Sequence, residues 1–247
     1  MIKLNLPACP AALTPAVQHQ LTEDFKTTQK AVWKKSYIEK ALLVMTNNKC
    51  AYSEQMLNQE SAYMEIDHFK CKEKYPDDVV AWGNLLPCCK KCNSTKGDHD
   101  VVALPIVNPL IEHPKNALYV RTFRYYSRNP KGRTTIDVLA LNDTDHFEIP
   151  RAKIAFQIAD DIETQFDSLR EAHQTSNLVK VKKSIAKIKS LLSACGPAYE
   201  YSAVISTYIL YEFDTYKQLE VYLKTNCYWD QELEDIKNTL LSIALEK

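Results

Sequence analysis

Apolar positions keep a helical rhythm near the start of the chain, alternate through its middle, and return to a helical rhythm beyond Pro150. Thr14 before Pro15 supplies a capping hydroxyl and a ring pre-set for the first helical position. Val17, Leu21, Phe25, Val32, Trp33, Ile38, Leu42 and Met45 then recur mostly every three or four residues, which predicts helix as far as Asn47. A short strand is predicted over residues 61–66, with Tyr63 and Met64 inside it, ending at Asp67 and His68. Its expected partner is the chain near Cys50, a hairpin that would hold the imidazole at a strand end. Pro76 and Asp77 open a turn, and residues 79–86 read either as a short helix or as a looped apolar segment carrying Asn84. Residues 89–96 read as a closing helix that Gly97 stops.

Alternation over residues 118–126 predicts another strand, the turn signal Asn129-Pro130-Lys131-Gly132 follows, and residues 133–141 read as the returning strand. This hairpin sets Arg121, Arg124, Arg128, Lys131 and Arg133 among Phe123, Tyr125 and Tyr126. Such a mixture suits a nucleic-acid backbone with stackable bases, but the solvated face of an edge hairpin is the slightly favoured reading. Beyond Pro150, Ile154, Ile158, Ile162, Phe166 and Leu169 form one amphipathic stripe. Leu178, Val181, Ile185, Ile188 and Leu191 form the next, opposite Lys180, Lys182, Lys183, Lys187 and Lys189. A lysine face of this kind is most often soluble surface. Further helices are predicted over residues 199–213, 216–223 and 229–245, rich in tyrosine rings that suit a core or a protein interface. The expected fold class is α+β, predominantly helical. It comprises a helical segment over 1–48, a strand–strand–helix core with an added hairpin over 49–150, and a helical region over 151–247 that offers a partner-binding surface.

Composition narrows the picture without changing it. A chain of 247 residues that is 45% hydrophobic and 25% charged is ordinary for a globular protein and excludes extended disorder. Thirty-one basic residues balance 31 acidic ones, so any grip on a polyanion must come from local patches. Pro7, Pro10 and Pro15 interrupt the leading apolar run, which is poor material for a signal peptide. No run reaches the ~18 apolar residues of a membrane span, so a cytoplasmic protein is expected. In a reducing compartment, close pairs such as Cys89 and Cys92 are more often metal ligands than disulfides.

The chemistry concentrates in residues 50–98. Phosphodiester hydrolysis needs an activated water, a way to absorb charge on the phosphorane and help for the leaving oxygen. His68 has the right ordinary pKa to be the general base. Asp67 can ligate Mg2+ or Mn2+ as a hard oxygen donor, and Asn93 offers a second oxygen beside the CxxC. Asn84 is suited to fixing the loop and orienting His68, and Lys96, one turn after Asn93, to facing the phosphate. Cys50, Cys89 and Cys92 are candidate ligands of a structural zinc.

The run DHF, then WGNLL, then CxxCNxxKGD resembles the HNH endonuclease superfamily, with Asn93 standing where many members carry the final His. The spacing of HFKCKEKYP, Asn108-Pro109, and Leu141-Asn142 followed by Arg151 narrows the resemblance to the PtuB family of Septu-type and retron-associated anti-phage systems. That resemblance implies a ββα-metal core and cleavage of nucleic acid to block phage growth, of DNA in most members and of tRNA in some retron-linked relatives. It also implies a PtuA-like ATPase partner and, in retron systems, a reverse transcriptase with its noncoding RNA/DNA. Two departures stand out. Ser53 occupies the second position of the first CxxC, so either Cys88, Cys71 or another side chain completes a four-ligand zinc site, or packing has replaced the metal. Cys71 sits where relatives usually have Pro. The reading from another class is a noncatalytic metal-knuckle adaptor that recruits an ATPase or binds nucleic acid.

Overall fold

The computed structural model describes residues 1–57 and 63–247, and the chain divides into two compact units. The first comprises Met1–Tyr119 with Tyr125–Asp143, the second Val120–Arg124 with Thr144–Lys247.

In the first unit the Thr14 hydroxyl accepts from the Val17 amide at 3.3 Å and opens α1 (Pro15–Thr28). The helix ends at Gln29, which takes the left-handed conformation with φ 57°. The expected run of helix to Asn47 is therefore two helices, the second being α2 (Ser36–Thr46). The hydroxyls of Thr27 and Thr28 bond back to the carbonyls of Glu23 and Asp24, and Val32 and Trp33 fall in the connection. Leu21 and Phe25 of α1 and Ile38 and Leu42 of α2 pack with Leu13, Val79, Val80 and Leu85 into one core.

The strand ending in the Asp-His pair is β1 (Met64–His68); Ser61 and Ala62, at its expected beginning, lie outside the described residues. Its partner is not the chain near Cys50 but β2 (Leu85–Cys89), antiparallel, with Asp67 opposite Leu86 and His68 opposite Leu85. Every residue of β2 is buried, the mark of a strand covered on both faces, and this outweighs the local hairpin expected with Cys50. The Cys50 segment instead donates the Ala51 amide to the Pro87 carbonyl at 2.9 Å. The stretch before β2 is neither a regular α-helix nor open loop but two single 3₁₀ turns, Pro76–Asp78 and Trp82–Asn84. Directly after β2 comes α3 (Lys90–Lys96), closed by Gly97 at φ 50°, a backbone position that favours glycine.

The second hairpin is smaller than expected. Strands β3 (Leu118–Arg121) and β4 (Arg124–Ser127) pair across a turn in which Thr122 and Phe123 both have positive φ. Residues 133–141 do not return as a strand, because Asn129 and Pro130 start a helix rather than a turn. The Asn129 side chain accepts from the Gly132 amide at 2.9 Å, Pro130 takes the first position, and α4 runs from Pro130 to Val138. Gly132 is needed there for close approach, since a Cβ would lie 2.0 Å from the Ala117 carbonyl oxygen.

The second unit is helical throughout its longer segment. The helices α5 (Ile149–Gln174) and α6 (Leu178–Ser193) form a hairpin, followed by α7 (Ser202–Thr207), α8 (Asp214–Thr225) and α9 (Gln231–Ile243). The buried stripe of α5 is Ala155, Ala159, Ile162, Phe166 and Leu169, and Tyr201 and Tyr216 are core while Tyr199 and Tyr211 are exposed. Among the described residues no helix is long and apolar enough to cross a membrane.

Candidate active site

A cavity of about 280 Å³ opens where β1, α3 and the α1–α2 connection meet, and Asp67, His68 and Asn93 all line it. Glu65, Trp33, Cys71, Lys72 and Glu73 complete much of its wall.

The His68 ring is held on two sides. Its Nε2 lies 2.9 Å from the Val79 carbonyl oxygen, and the ring meets Trp33 edge to face at 4.4 Å. A carbonyl cannot donate, so Nε2 carries the hydrogen and Nδ1 is the basic nitrogen of the neutral ring. Burial lowers the His68 pKa to about 4, against the opposing pull of the Asp67 charge. The imidazole is therefore unprotonated at neutral pH.

Asn84 secures the loop that presents that carbonyl. Its Oδ1 accepts from the Lys70 amide at 2.8 Å, and its Nδ2 donates to the carbonyls of Lys70 at 3.1 Å and Asp78 at 3.0 Å. Its own backbone carbonyl accepts from the Phe69 amide at 2.8 Å. It thus ties the chain just after His68 to the chain just before Val79, and its side chain is fully occupied in doing so.

Asp67 is buried with one partner on each oxygen: Lys96 Nζ at 2.9 Å on Oδ1 and the Tyr52 hydroxyl at 2.5 Å on Oδ2. Burial, reinforced by the Asp67 charge, pushes the Tyr52 pKa well above the usual phenol range, so the hydroxyl stays a donor. Lys96 is turned inward rather than into the cavity, and its ammonium also donates to the His68 carbonyl at 2.7 Å. Each carboxylate oxygen keeps a further lone pair, so these bonds leave Asp67 capacity for a cation. Asn93 donates its Nδ2 to Glu65 Oε2 at 2.6 Å. Asp67 and Asn93 both line the cavity and both carry hard oxygens, the donor type that suits Mg2+ or Mn2+.

The cysteines form a separate, sealed group. The sulfurs of Cys50, Cys89 and Cys92 lie within 4.8 Å of one another, all buried. Cys88 Sγ is 3.9 Å from Cys50 Sγ, and Ser53 Oγ is 3.6 Å from Cys89 Sγ. Bonds of ~2.3 Å at tetrahedral angles put zinc-bound sulfurs roughly 3.8 Å apart, and the mutually close group is Cys50, Cys89 and Cys92, with Cys88 beside Cys50 but outside that group. Burial alone would raise the Cys50 pKa, but its contacts with Cys88, Cys89, Cys92 and Ser53 outweigh it and hold this thiol well below its usual range. Cys71 lines the cavity instead of joining this group.

Glu65, Trp33, Tyr52 and the Val79 carbonyl are parts of the site that motif reading misses. Only Glu65 leaves a signal, as the position two before Asp67 and hence on the same face of β1.

No family model matches the chain, and no solved structure matches it. It is 36% identical over 248 residues to the Septu protein PtuB of Bacillus thuringiensis, an alignment covering 100% of this chain and 96% of that one. It is 26% identical over 244 residues to the Septu protein PtuB of Bacillus mycoides (strain KBAB4), covering 77% and 82% of the two chains.

Proposed function

We propose, from the premise that the chain belongs to the Septu PtuB family, that it is the metal-dependent HNH endonuclease subunit of an anti-phage defence complex and works with a PtuA-like ATPase. The observation that carries this reading is the convergence of Asp67, His68 and Asn93 on one cavity, with the His68 tautomer set by the Val79 carbonyl. The strand–strand–helix of β1, β2 and α3 is the frame that an HNH ββα-metal core requires.

Asp67 and Asn93 Oδ1 would hold Mg2+ or Mn2+, which when bound stabilises charge on the phosphorane and the leaving oxygen. His68 Nδ1 takes the proton of the attacking water, and burial keeps that nitrogen free for it at neutral pH. The perpendicular contact with Trp33 fixes the ring plane, and Asn84 holds the Val79 loop so that the tautomer does not change. Lys96 neutralises Asp67 from beneath and pins the His68 backbone. Cys50, Cys89 and Cys92 would hold a structural zinc that seats α3.

Such a site touches the phosphate backbone rather than base edges, so substrate choice between DNA and tRNA rests with the assembly, including any retron reverse transcriptase and its noncoding RNA/DNA. The test is cleavage of DNA and of tRNA by the co-expressed complex in Mg2+, comparing wild type with His68→Ala. Loss of cutting in the variant is expected. Equal cutting by both removes His68 from the mechanism. Phage protection that survives His68→Ala but not Cys89→Ser/Cys92→Ser would favour the noncatalytic adaptor.

A further inference from the structure

We infer that Glu65 is a positioning residue for Asn93: its carboxylate holds the Asn93 amide in the one orientation that offers Oδ1 to a divalent cation shared with Asp67. The inference rests on the ion-binding role of Asp67 and Asn93 proposed above.

A carboxamide has two ends of nearly equal size, and only the oxygen can ligate a hard cation. An unrestrained Asn93 could present either end. The Glu65 carboxylate accepts and does not donate, so the group facing it at 2.6 Å must be the Asn93 NH2, and Oδ1 is directed elsewhere on the amide. The contact is short, as expected when one partner is charged.

Register makes this arrangement specific. Glu65 and Asp67 are two apart on β1 and share a face, while Asn93 and Lys96 are three apart on α3 and share a face. Each helix side chain meets one strand carboxylate, Asn93 on Glu65 at 2.6 Å and Lys96 on Asp67 at 2.9 Å. Glu65 lines the cavity, is only partly buried, and has no role in the proposed proton transfer. Its carboxylate is instead engaged by the amide.

The test is a Mn2+ titration of the full-length chain, with free ion read by electron paramagnetic resonance and folding by circular dichroism. The variants are Glu65→Gln, Glu65→Ala, Asn93→Ala and the double Glu65→Ala/Asn93→Ala. The carboxamide oxygen introduced by Glu65→Gln can still accept from the Asn93 amide, so that variant is expected to bind within about threefold of wild type. Glu65→Ala is expected to weaken binding about tenfold or more, the usual scale for losing a group that orients a ligand. In the Asn93→Ala background it is expected to change nothing further, because its effect runs through that amide. Glu65→Leu replaces the alanine variant if the latter does not fold. Equal damage from Glu65→Gln and Glu65→Ala would overturn the inference by making Glu65 a ligand in its own right. Wild-type affinity in Glu65→Ala, or a further loss on top of Asn93→Ala, would overturn it as well. Those outcomes leave the ion site standing, whereas absence of Mn2+ binding in wild type overturns the ion site and this inference together.

Discussion

The cavity and the thiol cluster share the short helix α3 but stand on different strands, the cavity on β1 and the cluster on β2, and they are opposite environments. The cavity gathers carboxylates, a carboxamide and an imidazole at an open wall, while the cluster seals Cys50, Cys88, Cys89 and Cys92 away from water. Cys92 and Asn93 are sequence neighbours, and one residue along an α-helix turns the side chain by roughly 100°. That turn buries the Cys92 sulfur and leaves the Asn93 carboxamide lining the cavity. On the proposed reading, two metal chemistries would share one seven-residue helix without sharing a ligand, and the cluster would be what seats it.

Variants confined to one side should therefore behave asymmetrically. His68→Ala is expected to cost ~10²–10⁴-fold in cleavage, the usual scale for a general base, while leaving zinc content unchanged by atomic absorption. Cys89→Ser with Cys92→Ser is expected to abolish zinc retention, to cost several kcal/mol in urea unfolding, and to lose Mn2+ binding too, because α3 is no longer seated. Damage should pass from cluster to cavity and not in reverse; Mn2+ binding that survives loss of both thiols would break the comparison.

Acid sharpens it further. His68 titrates at about 4 when folded, against an ordinary value of 6.5. Below 6.5 the unfolded chain takes up a proton that the folded chain refuses until about pH 4. This group's stabilisation is complete above pH 6.5 and is lost as pH falls toward 4, by at most ~3 kcal/mol. Urea midpoints across that window should fall, and His68→Ala should flatten the slope. The smallest effect is expected from Asn84→Ala, roughly 1–3 kcal/mol by the same unfolding assay, since it strips partners from the Lys70 amide and the Asp78 carbonyl.

What is legible in the sequence is what short-range order carries. Asp67, His68, Asn84, Cys89, Cys92 and Asn93 stand out because their spacing is local, and the chain brings Asp67, His68 and Asn93 to one cavity. The pairing of β1 is misread because its partner follows after a long loop, and a continuously buried strand such as β2 lacks the alternation that marks a half-exposed one. Asn129-Pro130 is misread because Asn before Pro serves a turn and a helix start equally well. Gly132, Thr135 and Ile136 supply the buried helical face that decides it. Trp33, Tyr52 and the Val79 carbonyl leave no linear trace, because each reaches the site only through tertiary packing.

The most direct test of the two-site arrangement is anomalous diffraction from crystals of the full chain grown with MnCl2, recorded at the zinc and manganese edges. The account predicts a zinc peak among Cys50, Cys89 and Cys92 and a separate manganese peak bounded by Asp67 and the Asn93 Oδ1. Manganese absent from that cavity, or a single peak in the thiol cluster at both edges, would contradict it.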